Sequence, residues 1–499
     1  MLSTYLFLFT FCVLSILWLR RVTKDNKRLP PGPVGIPLLG YLPFMDVFHL
    51  GDSFAKIGRK FGNIFSLRVG TELAVVLDDY DTIVKAFSQP ELCARPDTFM
   101  FRFFSRGEHG IASSSGERWR VQRKFTHKHL KKLGKGHDGI EKHLEEETMQ
   151  LVNNFENASK EGKSPVEVGY DVNMSVANVT WALVSGERKE HNDSRMMRFL
   201  QSVNEAIELA STSGILLFMP FLIKVLPEKI FGLDRMRKWM DESYSFINDT
   251  IKEHISTRIE DDTNNNDRCE DRDFIDAFLT EMENPNAHES FNNFQLQVLC
   301  SELFGAGGEP TSVTLKWALR FLAMNQEVQS KARKEIHDLV GSGRNVQLSD
   351  KENLPYVQAL VMDLIRLSDI HPIGVLHAPE RDTEIEGYTI PKGTFIFPNF
   401  HKVHRDPQYW DKPEELYPQH WLDEAGNFIP KREGFLSFGV GKRNCPGQDF
   451  AKSILFSFIA NLIQKFNFQL TPEDTGKIEC TTGCVVSPKP YSLLITPNK

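Results

Sequence analysis

Ten residues, Phe438-Gly-Val-Gly-Lys-Arg-Asn-Cys-Pro-Gly447, constrain this chain more than any other stretch. A single thiol, Cys445, sits between glycines and near a guanidinium. It lies just ahead of an apolar run (Ala451, Ile454, Leu455, Phe458, Ile459, Leu462, Ile463) spaced for a helix. The spacing predicts a cysteine at or just before a helix N-terminus, where backbone amides and the helix dipole favour a thiolate. Gly439, Gly441 and Gly447 clear side chains where backbone must turn tightly or approach a flat ligand. Arg443 offers a planar fork suited to a carboxylate. A nucleotide-binding loop does not fit, because Gly441-Lys442 is followed by Arg443 rather than Ser or Thr, and position 436 is Leu.

At 499 residues the chain exceeds one ordinary domain, yet no internal repeat and no long Gly/Ser linker divides it. One large, mostly helical body is the simplest reading. A formal net charge of −7 gives no electrostatic reason to bind nucleic acid. Cysteines at 12, 93, 269, 300, 445, 480 and 484 form an odd, scattered set without a Cys-x-x-Cys pair. That argues against a disulfide framework and a zinc ribbon, and fits a reducing compartment.

Residues 1–19 carry no charge and are almost wholly apolar. As helix they extend about 28 Å, close to the hydrocarbon thickness of a bilayer. Arg20, Arg21, Lys24, Lys27 and Arg28 follow, with no basic segment in front. A cleaved signal peptide has the opposite charge order, so the expectation is a transmembrane signal anchor at 1–22 with the remainder on the cytoplasmic side. A basic and Pro-rich hinge (23–40, including Pro30-Pro-Gly-Pro) then leads to a body over 41–499.

Within that body, alternation over 64–77 predicts a hairpin turning near Gly70-Thr71. Gly116 opens a helix on which Trp119 and Arg123, four apart, share a face. The segment 118–137 is rich in Lys and Arg, a surface suited to an acidic partner. Residues 213–232 are apolar but broken by Pro220 and Pro227, and 258–273 reads as a polar surface loop. Asn-x-Ser/Thr sites at Asn157, Asn173, Asn178, Asn192 and Asn248 read as chance matches, since a cytoplasmic body never meets the glycosylation machinery. Leu296 to Leu322 reads as one long apolar helix.

The pattern Phe-x-x-Gly-x-Arg-x-Cys-x-Gly resembles the haem-binding loop of cytochromes P450, and the chain is similar to their animal microsomal type from about 1 to 499. The resemblance implies a mainly α fold with a small β-rich lobe, preceded by one N-terminal transmembrane helix in the endoplasmic reticulum membrane. It makes Cys445 the axial ligand of haem b (iron protoporphyrin IX). It places Trp119, Arg123, His377 and Arg443 on the propionates, with Arg95 as a further candidate, and 213–232 at a membrane-dipping substrate entrance. The implied reaction inserts one oxygen atom from O2 into a small apolar substrate of steroid, fatty acid or xenobiotic type. Electrons would come from NADPH through a flavoprotein reductase, and membrane lipid would be a further partner.

Two positions bend the pattern. Ala306-Gly-Gly-Glu-Pro-Thr-Ser312 matches the oxygen-binding segment, but the proton-relay threonine falls on Pro310, leaving Glu309 and Thr311 to manage protons. Asp363-Leu-Ile-Arg366 stands where the family has Glu-x-x-Arg, with His420 as third member, so the carboxylate has one methylene less reach. Two alternatives therefore stay open. One is a P450-type hydroperoxide isomerase or dehydratase that needs no O2 activation; the other is a non-catalytic, membrane-tethered haem or apolar-ligand binder.

Overall fold

A computed structural model describes residues 28–133, 138–263, 271–482 and 485–498. The transmembrane helix expected at 1–22 lies outside the described residues, as do part of the hinge, Lys135 and part of the 258–273 loop. No described helix is long and apolar enough to cross a membrane.

The longer helices are α1 (Leu50–Phe61), α2 (Tyr80–Ser88), α3 (Gly116–Leu133), α4 (Asp138–Ser159), α5 (Gly169–Ser185), α6 (Ser194–Ser213) and α7 (Leu233–Thr263). They continue with α8 (Phe274–Glu283), α9 (Asn293–Met324), α10 (Gln326–Leu339), α11 (Pro355–Ser368) and α12 (Gln448–Lys465). Strands β1 (Ile64–Val69), β2 (Glu72–Leu77), β3 (Pro165–Glu167), β4 (Phe395–Pro398), β5 (Phe466–Leu470) and β6 (Ser492–Pro497) build two small sheets. In the first, β2 pairs antiparallel with β1 and parallel with β4, and Gly70 makes the tight turn at φ +61°. In the second, β6 lies between β3 and β5. The expected mainly α fold with a small β-rich part is what forms.

Helix α9 organises the body. Its 32 residues are apolar nearly all round, which suits a helix buried on every side and about 48 Å long. Its N-terminal part, Leu296 to Phe304, joins a core with α3, α5, α7 and α8. Its C-terminal part, Val313 to Ala323, joins a separate core with α4, α10, α11 and α12. Between the two, residues 305–312 belong to neither core. One side of this stretch packs on α5, where a Cβ at Gly307 would lie 2.8 Å from Thr180 Cγ2, and the other is accessible at Ala306.

Below this, Asp363 and Arg366 on α11 are fully buried. Arg366 uses all five of its N–H groups: Nε at 2.7 Å and Nη2 at 3.2 Å on Asp363, and the others on the carbonyls of His404, Pro413 and Glu415. Asp363 also accepts from the Tyr417 amide at 2.7 Å and from His420 Nδ1 at 3.0 Å. The Lys412 amide donates to His420 Nε2, so the ring proton sits on Nδ1. The shorter aspartate closes its network completely, which is the condition under which a buried pair is tolerated.

The proline-rich segment is laid on the body. Ser66 donates its amide to the Pro31 carbonyl and its hydroxyl to the Pro30 carbonyl, and a Cβ at Gly32 would lie 1.6 Å from the Ser66 carbonyl oxygen. Only glycine allows that approach.

Candidate active site

The cysteine loop is shaped by short backbone bonds. The Gly439 amide donates to Leu436 and the Cys445 amide to Phe438, at 2.8 and 2.7 Å. Gly441 has φ +76°, and a Cβ there would lie 2.0 Å from the Phe87 carbonyl oxygen on α2, so position 441 admits no side chain. Gly447 caps α12, which starts at Gln448, two residues later than the sulfur's immediate neighbour Pro446. Burial pushes the Cys445 thiol up, while the Gly447 amide and the Arg123 cation pull it down. Burial prevails. The helix terminus by itself therefore does not hold the thiolate, and an ionised sulfur needs a cation directly against it.

Three guanidiniums gather beside this loop. Arg443 donates to the carbonyls of Cys93 (2.7 Å), Ile111 (3.0 Å) and Ser114 (2.6 Å), and its charge lies 3.9 Å above the Trp119 ring. Arg95 donates to Ala112 (2.9 Å), Val375 (3.3 Å) and Leu376 (2.7 Å). Arg123 reaches the Asn444 carbonyl and, at 3.0 Å, its side-chain oxygen. Burial, reinforced by mutual repulsion, pulls Arg443 down to about 8 and Arg95 to about 10. The Trp119 indole N–H is buried without a partner.

His377 completes the group. Its Nδ1 donates to the Leu92 carbonyl at 2.7 Å and its ring stacks on Phe87 at 3.9 Å. Burial first, then Arg95, holds it well below its ordinary range, so Nε2 is bare. Donation from Nε2 to a carboxylate requires a second proton on the ring.

The middle of α9 is accessible in part. Ala306 is exposed although it lies mid-helix, and Glu302, Gly305, Glu309 and Pro310 around it are partly accessible. Glu309 is pushed up to about 7 by burial, against the pull of Lys316, and its Oε1 has no partner. Thr311 points the other way: it is buried, and its hydroxyl donates to the Gly307 carbonyl at 2.7 Å. Val375, half exposed, and Ile373 present apolar surface.

Sequence reading missed Glu302. It accepts from the amides of Ile111 (2.6 Å) and Ala112 (3.1 Å), and burial pushes it up to about 7 despite the nearby Arg443 and Arg95. The signal was present: Glu302 and Glu309 stand seven apart, on one face of an otherwise apolar helix.

These residues fit a flat, dianionic, iron-bearing ligand. Arg443 and Arg95 meet a single carboxyl, Glu302, that burial drives toward neutrality, a buried indole N–H lacks an acceptor, and burial outweighs the pull of Arg123 and Lys452 on the thiol. A Cβ at Gly305 or Gly447 would meet no atom within 4 Å, so both glycines border open space. The site thus has the make-up of a haem-binding one. More particularly, the chain belongs to the cytochrome P450 family, whose family description, "Cytochrome P450", matches residues 30–495. It is 34% identical over 484 residues to cytochrome P450 2J3 of Rattus norvegicus, covering 95% of this chain and 92% of that one. Cytochrome P450 2L1 of Panulirus argus is 31% identical over 482 residues, 95% of each chain. Cytochrome P450 2U1 of Homo sapiens is 33% identical over 512 residues, 96% of this chain and 91% of the relative. The protein is accordingly a haem monooxygenase, an oxidoreductase, and the purely non-catalytic binder is set aside.

Proposed function

We propose that this monooxygenase is anchored by residues 1–22 in the endoplasmic reticulum membrane, with 23–40 as hinge and 41–499 as a cytoplasmic catalytic body. It takes electrons from NADPH through a flavoprotein reductase and oxidises a small apolar molecule of steroid, fatty acid or xenobiotic type. The observation that carries this reading is the partly accessible middle of α9, where Ala306 is exposed and the Glu309 carboxyl, pushed up to about 7 by burial, leaves Oε1 unpartnered.

In this reading bound haem supplies oxygen-activating chemistry, and Cys445 is its metal ligand. Arg443, Arg123, Arg95 and Trp119 hold its carboxylates, with His377 joining once doubly protonated. Glu309, its carboxyl pushed up to about 7 by burial, serves as the proton donor. Thr311 contributes a hydroxyl only by releasing the Gly307 carbonyl.

Lipid contact is supported by two exposed apolar stretches, Val34, Leu38, Phe44 and Phe48 with Val225 and Ile230. Both run to the same sheet corner, where the Gly70 amide donates to Leu39 and the Thr71 amide to Phe218. Exposed Arg120, Lys124, Lys128 and Lys131 on α3 suit an acidic reductase.

Carbon-monoxide difference spectroscopy on reduced protein tests the iron–sulfur bond, and product formation with NADPH and reductase tests the reaction. The commitment of Thr311 to the helix backbone, together with Pro310, favours one second reading, hydroperoxide rearrangement. Consumption of a lipid hydroperoxide without NADPH, with no product from NADPH plus reductase, would decide for it.

A further inference from the structure

Of the three guanidiniums beside the cysteine loop, Arg123 is the least committed to protein. Arg443 engages Nε, Nη1 and Nη2 on three backbone carbonyls, and Arg95 engages Nε and Nη1 on three more. Arg123 engages Nη2 alone, which donates to the Asn444 carbonyl and, at 3.0 Å, to the Asn444 side-chain oxygen. Its Nε and Nη1 meet no acceptor among the described residues. Asn444 stands immediately before Cys445, and its own amide donates to the Gly441 carbonyl at 3.2 Å. A guanidinium has donors only, so the atom of the Asn444 amide group that faces Nη2 is the oxygen. An amide oxygen fixes a cation without cancelling its charge, as a carboxylate would. That charge is felt at the sulfur, since Arg123 and Cys445 act on one another electrostatically.

We propose that Asn444 is a positioning residue: its side-chain oxygen holds the Arg123 cation to the cysteine loop and leaves Nε and Nη1 for a haem carboxylate. This rests on the reading that Arg123 serves a haem carboxylate. One side chain then links the arginine that grips the cofactor to the segment that carries its metal ligand. A change at 444 therefore reaches both how tightly haem is kept and how readily its iron is reduced. A fixed cation here favours the reduced state, which carries one more negative charge than the oxidised one.

The test uses the haem-loaded, full-length protein and two readouts, the midpoint potential of the iron and the rate of haem transfer to apomyoglobin. Asn444→Leu keeps the size of the side chain and deletes its oxygen; Asn444→Ala deletes both. The backbone at 444 is extended (φ −55°, ψ 159°), which either residue adopts, and each variant tests the inference alone should the other fail to load haem. In each, the ferrous-to-ferric ratio at fixed potential should fall about three- to tenfold, and haem loss should quicken by a similar factor, the range for one hydrogen bond. At about 59 mV per tenfold for one electron, the midpoint falls by about 30–60 mV. On an Arg123→Gln background, adding Asn444→Leu should change neither readout further. Unchanged readouts in both Asn444 variants, with Arg123→Gln altering both, would overturn the inference alone. So would a change in Asn444→Leu absent from Asn444→Ala, which traces to bulk, or one that persists in full beside Arg123→Gln. If Arg123→Gln altered neither readout, Arg123 would not serve a haem carboxylate, and the inference would fall with that reading.

Discussion

Two clusters of buried charge in this molecule are opposites. Asp363 and Arg366 themselves match every donor with an acceptor and every acceptor with a donor, all drawn from protein. Around Cys445 and Glu309 the accounts stay open: Trp119 Nε1 and Glu309 Oε1 have no partner, three cations crowd together, and a thiol is pushed away from ionisation. Burying an ion or polar group without a partner is costly, so the first cluster reads as fixed structure and the second as a site completed by a ligand. The difference lies in satisfaction, since burial and charge are common to both.

Substitutions can break this contrast. The largest effect belongs to Cys445→Ala, which should abolish the thiolate carbon-monoxide band and turnover while leaving the fold intact by circular dichroism; a retained band would remove the sulfur from the site. Arg366→Ala strands the Asp363 carboxylate in the interior and should cost about 3–5 kcal/mol of stability, read by denaturant melts. Asp363→Asn leaves the other partners in place and should cost less.

Glu309→Gln comes next. Burial raises the Glu309 carboxyl from its ordinary 4.5 to about 7, so between those values the folded state holds a proton that the unfolded state releases. Stability from this group is therefore present below pH 4.5 and is lost as pH rises through about 7. The amide variant should recover about 1–2 kcal/mol at pH 8, less than the full shift because solvent still reaches the group. It should also lower the yield of product per NADPH consumed; unchanged yield and an unchanged pH–stability slope would remove Glu309 from the proton role. Smallest is Trp119→Phe, which deletes the orphan N–H together with one ring of a core side chain. It should speed haem loss to apomyoglobin about fivefold, from about 1 kcal/mol.

Much of the architecture was legible because it is written in local pattern. The 64–77 hairpin, the span of α9, the helix that opens at Gly116 and the cysteine just before α12 all follow from periodicity and punctuation. What escaped depends on contacts between distant segments. Arg443 meets the Ser114 carbonyl across 329 residues, and no spacing announces that its N–H groups would engage carbonyls as well as suit a carboxylate. Asp369, left-handed at the end of α11, gathers His401, His404 and Arg405, none of which its own sequence neighbourhood predicts. Thr311 stood at the expected position, but only the helix phase shows its hydroxyl turned to the backbone.

Arg366 fixes three separate pieces of chain at once: its own helix, the carbonyl at 404, and the segment whose carbonyls at 413 and 415 it holds. None of these can swing open alone without stranding the guanidinium. The segment from 413 to 417, nearly devoid of regular secondary structure, should therefore exchange its amide hydrogens as slowly as the central helices, with the Tyr417 N–H, held by Asp363, among the last to pick up deuterium.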